Sequence, residues 1–247
     1  MDLAQRRRIE LPSQPATQRT KRTVFWILTA LAVGITFVAP AGAGTIIGKV
    51  NFEGTVPAAE TVTIEQDTQV CGTSKGTGNI KIGADQGLQW AVVQVAGLSG
   101  ASADAEPPKL DQNGCEFVPR VVIARPGEVM AVLNSDGILH NVHTYSEENA
   151  VMNLAMPGFV PTMPLRFDHP ETIKVTCDVH AWMTGWIFVS DMRHVAVTDE
   201  NGSFTLEGVP AGTHQLTVWH EELGEQTQDV TVQDGQETSV TFELARN

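Results

Sequence analysis

Cys177, His180 and Met183 fall within seven residues, Cys177-Asp178-Val179-His180-Ala181-Trp182-Met183. A thiolate, an imidazole and a thioether on one short loop are soft donors of the kind that suits copper. A mononuclear copper centre built on them needs a second imidazole from elsewhere in the chain. His140 is the natural candidate, because residues 128–137 (EVMAVLNSDG) read as a strand and turn leading into Ile138-Leu139-His140-Asn141-Val142-His143. Taken singly, each residue has a commoner explanation: a buried free cysteine is usually a small hydrophobe and a methionine usually fills core. The donor types in this order, on this local pattern, favour a metal.

Strands must hold these donors. In residues 171–177 (ETIKVTC), Ile173, Val175 and Cys177 share one face of an extended strand and Lys174 and Thr176 the other, so Cys177 ends a strand pointing into a core. Residues 185–189 then resume as a strand. From Gly44 onward, short Val-, Ile-, Thr- and Phe-rich segments alternate with Gly, Pro, Asn and Asp turn clusters, which predicts an all-β chain with few, short helices. Residues 99–114 (SGASADAEPPKLDQNG) read as a long exposed loop, and residues 145–164, with three methionines and three prolines, as an irregular stretch.

The paired segments resemble the cupredoxins, in which a His-Asn dipeptide on one strand and a C-terminal Cys…His…Met loop build the copper site. The Cys-x2-His-x2-Met spacing is similar to that of the amicyanin-type members, and the resemblance covers roughly residues 116–190. It implies a cupredoxin-like Greek-key β-sandwich with one copper ion, His140, Cys177 and His180 as equatorial ligands and Met183 as a long axial one. It also implies that Asn141 stiffens the ligand loop and hydrogen-bonds toward the sulfur, and that the solvent-facing edge of His180 is an electron port. The prolines that flank the histidine in amicyanin-like loops are replaced by Asp178-Val179 and Ala181 here, whereas the aromatic before the methionine is kept as Trp182. The Cys71 and Cys115 segments lie outside the pattern of the small cupredoxins.

Residues 1–43 carry six basic and two acidic residues, then an apolar run from Val24 to Val38 and a small-residue exit, the layout of a secretory signal peptide cut after Ala43. An uncleaved anchor is the alternative. Export to the periplasm or beyond makes disulfides permissible. Pairing Cys71 with Cys115 leaves Cys177 free, although sequence alone keeps the other two pairings open. The chain's formal charge of −13 becomes −17 beyond residue 43, which argues against nucleic acid or an anionic membrane surface as the partner. A redox partner with a basic docking face is the expectation.

Other candidates carry less. His143, three residues from His140, points to the opposite strand face, with a place in the metal site as the lesser alternative. His169 and His194 have no evident partner. His220 and Glu221 lie in WHEELG, which lacks the second histidine of a zinc-protease motif. Met152, Met156 and Met163 read as an apolar cap or core, with a Cu(I)-holding cluster as the alternative.

After Asp191 the texture becomes a regular meander with turn signals at Asn201-Gly202, Pro210–Gly212 and Asp234-Gly235. Residues 198–206 (TDENGSFTL) and 209–216 (VPAGTHQL) resemble the carboxypeptidase regulatory-like, transthyretin-like fold, which implies a non-catalytic β-sandwich. The expected organisation is a signal peptide at 1–43, a cupredoxin-like copper domain at 44–190 and a regulatory-like sandwich at 191–247. Residues 44–60 resemble that sandwich's usual first strand and are the part that could belong to it instead. The functional expectation is an exported one-electron carrier and not an enzyme, with copper trafficking or a non-catalytic envelope binding module as alternatives.

Overall fold

Apolar residues at every second position drive most of this chain into strands, and a computed structural model describes residues 42–58, 60–100 and 106–246. The signal segment expected at 1–43 lies outside the described residues up to position 41. The chain first forms β1 (Ala43–Glu53), a small hairpin of β2 (Thr61–Thr63) and β3 (Ser74–Gly76) carrying the single-turn helix α1 (Thr68–Cys71), and β4 (Val92–Val95). It continues through β5 (Lys109–Gln112), β6 (Phe117–Val118), β7 (Val121–Ala124), β8 (Val129–Asn134) and β9 (His140–Tyr145). Next come β10 (Asn153–Met156), β11 (Thr162–Arg166), β12 (Glu171–Thr176) and β13 (Thr184–Val189). The last stretch is β14 (Val195–Val197), β15 (Ser203–Pro210), β16 (Gly212–His220), β17 (Gly224–Val232) and β18 (Glu237–Ala245).

Two sandwiches result, each with its own core. The inner one packs the sheet β10-β9-β12-β13-β7 against β11-β8-β5-β6, around Leu110, Met130, Val132, Val142, Ile173, Val175 and Ile187. The outer one packs β15-β1-β18 against β14-β4-β16-β17, around Ile46, Val50, Val93, Leu206, Leu216, Val218 and Phe242. Each such fully buried aliphatic side chain contributes roughly 1.5–3 kcal/mol relative to exposure.

The strand pairings revise the expected division of the chain. β1 lies between β15 and β18, antiparallel to the first and parallel to the second, in register from Thr45↔Glu237 to Glu53↔Ala245. β4 lies between β14 and β16. Residues 43–53, which sequence left open to either domain, and residues 92–95, which it gave to the larger one, are therefore strands of the outer sandwich, and the inner sheets are inserted between β4 and β14. Sequence places a strand beside its neighbours in the chain, whereas β1 finds its apolar partners at the far end. A parallel pair needs a long crossover, and here the crossover contains a whole domain.

Two stretches expected to be irregular contain strands. β5 lies in the predicted 99–114 loop and buries Leu110 and Gln112 completely. β10 and β11 occupy much of 145–164. Their polar and proline-containing sequences hide the pattern, because each pairs along one edge only, on β9 and β8. The predicted turns fall between strands: Gly202 has φ 75° and Gly235 φ 65°, left-handed values that suit glycine.

Between the sandwiches, Trp186 of β13 meets Trp219 of β16 edge to face with centroids 5.2 Å apart. Arg120 binds Glu221 through Nε at 2.6 Å, and the Trp186 indole N–H donates to the same carboxylate at 2.8 Å. The WHEELG segment is thus the β16–β17 corner, and its Glu221 is a structural anchor.

Candidate metal centre

Cys177 follows β12, whose inward face carries Ile173 and Val175, and it enters the core as the alternation requires. The loop from 177 to 183 is closed on itself by Met183 N–H to His180 C=O at 2.9 Å and Cys177 N–H to Met183 C=O at 3.3 Å. β13 then leaves antiparallel to β12. His140 opens the adjacent strand β9, after a turn fixed by Asn134, whose side-chain amide donates to the carbonyls of Ile138 (2.8 Å) and Met156 (2.9 Å).

The structure brings His140, Cys177 and His180 together. Cys177 Sγ lies 3.8 Å from Nδ1 of each histidine, and the two Nδ1 atoms are 2.9 Å apart. Both rings are fully buried and the thiol nearly so. A triangle with those sides has its centre about 2.1 Å from each donor atom, the length of a metal–imidazole bond and slightly short of a metal–thiolate one.

The outer nitrogens decide the protonation of the inner ones. His140 Nε2 lies 2.9 Å from Asp136 Oδ2 and His180 Nε2 lies 3.1 Å from Asp67 Oδ2. Each carboxylate accepts an Nε2–H, so a neutral ring keeps its lone pair on Nδ1. Burial, partly offset by Asp136, lowers the pKa of His140 and favours that neutral form. Two lone pairs then face each other beside a thiol, an arrangement that repels itself unless a cation sits between them. The donor set fits a soft metal ion, and carboxylate partners on both rings fix tautomer and orientation.

Met183 is buried on the same loop, 1% exposed, in the same core cluster as Cys177. Asn141, expected to stiffen the loop and bond toward the sulfur, ties β9 to the loop through Asp178. Its Oδ1 accepts the Asp178 amide at 2.6 Å and its amide group donates to Asn153 and Asp178, so these bonds run to Asp178 and Asn153 and not to the sulfur. His143 faces away from the centre and donates from Nδ1 to Asp178 Oδ1 at 3.1 Å; this bond, followed by that from Asn153, holds the Asp178 carboxyl below its ordinary range. Met156 is core, accepting a contact from the Gln112 amide, while Met152 and Met163 pack partly buried around it. His169 is exposed, His194 bonds the Glu207 carbonyl, and His220 is buried in the outer sandwich.

The expected solvent-facing edge of His180 is not there. The hairpin β2–β3 with α1 lies over that edge and brings Asp67 onto it. Asp67 precedes α1 in a left-handed conformation (φ 54°, ψ 30°) and makes no side-chain cap; its carboxylate serves His180 instead. The bond to His180 holds the Asp67 carboxyl below its ordinary range. Cys71, at the end of α1, is joined to Cys115 by a disulfide, leaving Cys177 as the free cysteine among the described residues. The disulfide therefore pins the covering hairpin to the body. Cys115 is tied to the other histidine as well: its amide donates to Asp136 Oδ2 at 2.8 Å, the oxygen that His140 uses, and its carbonyl accepts the Trp182 indole N–H at 3.1 Å. Sequence reasoning missed Asp67 and Asp136. The only local signal was an aspartate four residues before His140, in a turn.

Residues 187–245 match the carboxypeptidase regulatory-like domain. The match covers β14–β18 of the regulatory-like sandwich and omits β1 and β4, which reach it from upstream. No curated protein sequence matches the chain. Among solved structures, a Cu(I) form of an amicyanin variant is 17% identical, covering 40% of this chain and 98% of its own, with a TM-score of 0.31. A purple cupredoxin from Nitrosopumilus maritimus is 17% identical over 33% of this chain and 98% of its own, TM-score 0.28. A copper-containing nitrite reductase from Thermus scotoductus is 18% identical over 39% of this chain and 25% of its own, TM-score 0.30.

Proposed function

We propose that this chain is an exported mononuclear type 1 copper protein that carries single electrons. The observation that carries the reading is the buried triangle of His140 Nδ1, Cys177 Sγ and His180 Nδ1, with both histidines oriented by carboxylates. Copper bound there would supply one-electron chemistry. The chain's part is to hold the donors still, so that little rearranges when the charge changes. Two strands, a loop closed by two backbone hydrogen bonds and two carboxylate partners perform that task. Met183, buried on the same loop, would supply the weak thioether ligand. Asn141 and Asn153, clamped on Asp178, stiffen the loop from outside.

The disulfide suits an oxidising compartment, and the −17 charge beyond residue 43 suits a partner with a basic docking face. Among the described residues no helix is long and apolar enough to cross a membrane. Copper carriage is a second reading, favoured by one observation: His180 is covered by Asp67 and so lacks the exposed edge that an outlet for electrons at this ring requires.

The test is spectroscopic. Protein loaded with Cu(II) should be intensely coloured by a thiolate-to-copper band, with the narrow copper hyperfine splitting of a type 1 site in its EPR spectrum. Cys177→Ser should abolish the band. A colourless Cu(II) protein whose metal content is indifferent to Cys177→Ser would sink the reading.

A further inference from the structure

Beside the centre, Sγ of Cys71 and Sγ of Cys115 serve so far only as a cross-link, and they lie next to a ring nitrogen of His180, a residue the first site already uses. All three lie within 4.8 Å of one another and all three residues are buried. We propose that the Cys71–Cys115 disulfide is a reducible latch, and that its two thiolates with His180 form a second, sulfur-rich Cu(I) site through which copper reaches and leaves the first. The proposal rests on the copper reading of the His140–Cys177–His180 site.

The chemistry of the two oxidation states differs sharply. A disulfide sulfur is a poor ligand, so while the bond is closed His180 serves the first site alone. Two thiolates and an imidazole are a donor set suited to Cu(I). Because His180 is common to both sets, an ion held by Cys71, Cys115 and His180 is already attached to one ligand of the first site. Transfer then replaces two thiolates by Cys177 and His140, without release into water.

The hairpin can open because, among the described residues, little else fastens it. Apart from the disulfide, it is held by Ile64 in the inner core, the Asp67–His180 bond and a Lys75–Glu116 ion pair at 3.6 Å. Glu116 in that pair is exposed, and exposed pairs of this kind add little to stability. Local opening of so lightly held a unit costs far less than global unfolding. It uncovers the disulfide and the outer edge of His180 together.

Reduction needs an external dithiol of the thioredoxin class. Its thiolate attacks Sγ of Cys71, the Cys71–Cys115 bond breaks as a mixed disulfide forms, and Cys115 departs as a thiolate that takes up a proton. The second thiol of the reductant then resolves the mixed disulfide, releasing the Cys71 thiol and leaving the reductant oxidised. Two electrons and two protons reach the protein, and Cu(I) binding displaces those two protons from the thiols.

The experiment uses the whole protein with Cys177→Ser, which removes the thiolate of the first site, titrated anaerobically with Cu(I) against a chromophoric chelator. The thiol-reduced form is expected to bind one Cu(I) at least about 10-fold more tightly than the disulfide form. Equal affinity in the two forms overturns the proposal. Should Cys177→Ser fail to fold, X-ray absorption of the Cu(I)-loaded wild type decides: the number of sulfurs per copper rises on reduction, or the proposal is wrong. The two ideas separate cleanly. Loss of the coloured Cu(II) spectrum in disulfide-intact wild type counts against the type 1 reading alone, whereas the redox dependence of Cu(I) affinity in the variant bears on the second site.

Discussion

Asp67 Oδ2 and His180 Nε2 meet at 3.1 Å although 113 residues of chain separate them. The contact covers the outer edge of the His180 ring, and it makes the hairpin from β2 to β3 part of the candidate site. Asp136 does the same for His140 from within four residues. The two histidines are thus held alike by carboxylates that arrive by unlike routes.

Removing either carboxylate should loosen the centre. Asp136→Asn and Asp67→Asn each leave the shape of the site intact but weaken the acceptor that fixes the ring tautomer. Each is expected to lower copper affinity about 10- to 100-fold. Competition with a copper chelator measures this, and an unchanged affinity in both variants would show that the rings need no such support.

Met183→Leu keeps volume and burial while deleting the sulfur. The protein should fold with less than about 1.5 kcal/mol lost. If the thioether is the axial ligand, the copper-loaded variant should show a shifted visible spectrum and reduction potential. Identical spectra and potential would place Met183 in the core and nowhere else.

Acid should destabilise the fold in two stages. Burial pushes the pKa of His220 down to about 4 from 6.5, so the unfolded chain takes a proton that the folded one refuses. Stability from this group is complete above about pH 6.5 and falls as pH drops toward 4. Glu171 sits at about 2 instead of 4.5: burial would raise it, but the Glu147 amide, the Ser146 hydroxyl and Asn149 outweigh that by bonding its carboxylate. Its contribution is present above pH 4.5 and is lost as pH falls toward 2. Chemical denaturation of the metal-free protein at several pH values should show both slopes, with His220→Gln flattening the first and Glu171→Gln the second.

Arg120→Met should separate the sandwiches energetically. It strands Glu221, which is almost fully buried and also accepts the Trp186 indole N–H. Breaking one partner out of such a pair costs about 3–5 kcal/mol. A fall of that size in denaturant stability is expected, along with a shift in tryptophan emission from the Trp186–Trp219 pair. A change under about 1 kcal/mol would mean that water replaces the guanidinium at this interface.

Local features were legible in the sequence and remote ones were not. The strand face of Ile173, Val175 and Cys177 and the tight His180–Met183 loop depend on neighbours a few residues away, so alternation and spacing reveal them. His140 could be nominated because a strand, a turn and a chemical need coincide there. Asp67 carries no such mark: it is one aspartate in a polar stretch, and only the disulfide and the left-handed turn aim it at His180. The allocation of β1 stayed open for the same reason, since its pattern says that it is a strand but not which edge it joins. β5 was hidden because Lys, Asp and Gln outnumber its single buried leucine.

The nesting of one sandwich within another has a kinetic consequence. β1 precedes every other described strand, yet its parallel neighbour is β18, so the outer core cannot close until β18 has been made. The inserted sandwich has its partners close by and can mature alone. Once it does, it draws β4 and β14 together at Val92↔Val197 and turns a long excursion into a short, rigid bridge. The inner half would then act as an internal template on which the outer half is assembled.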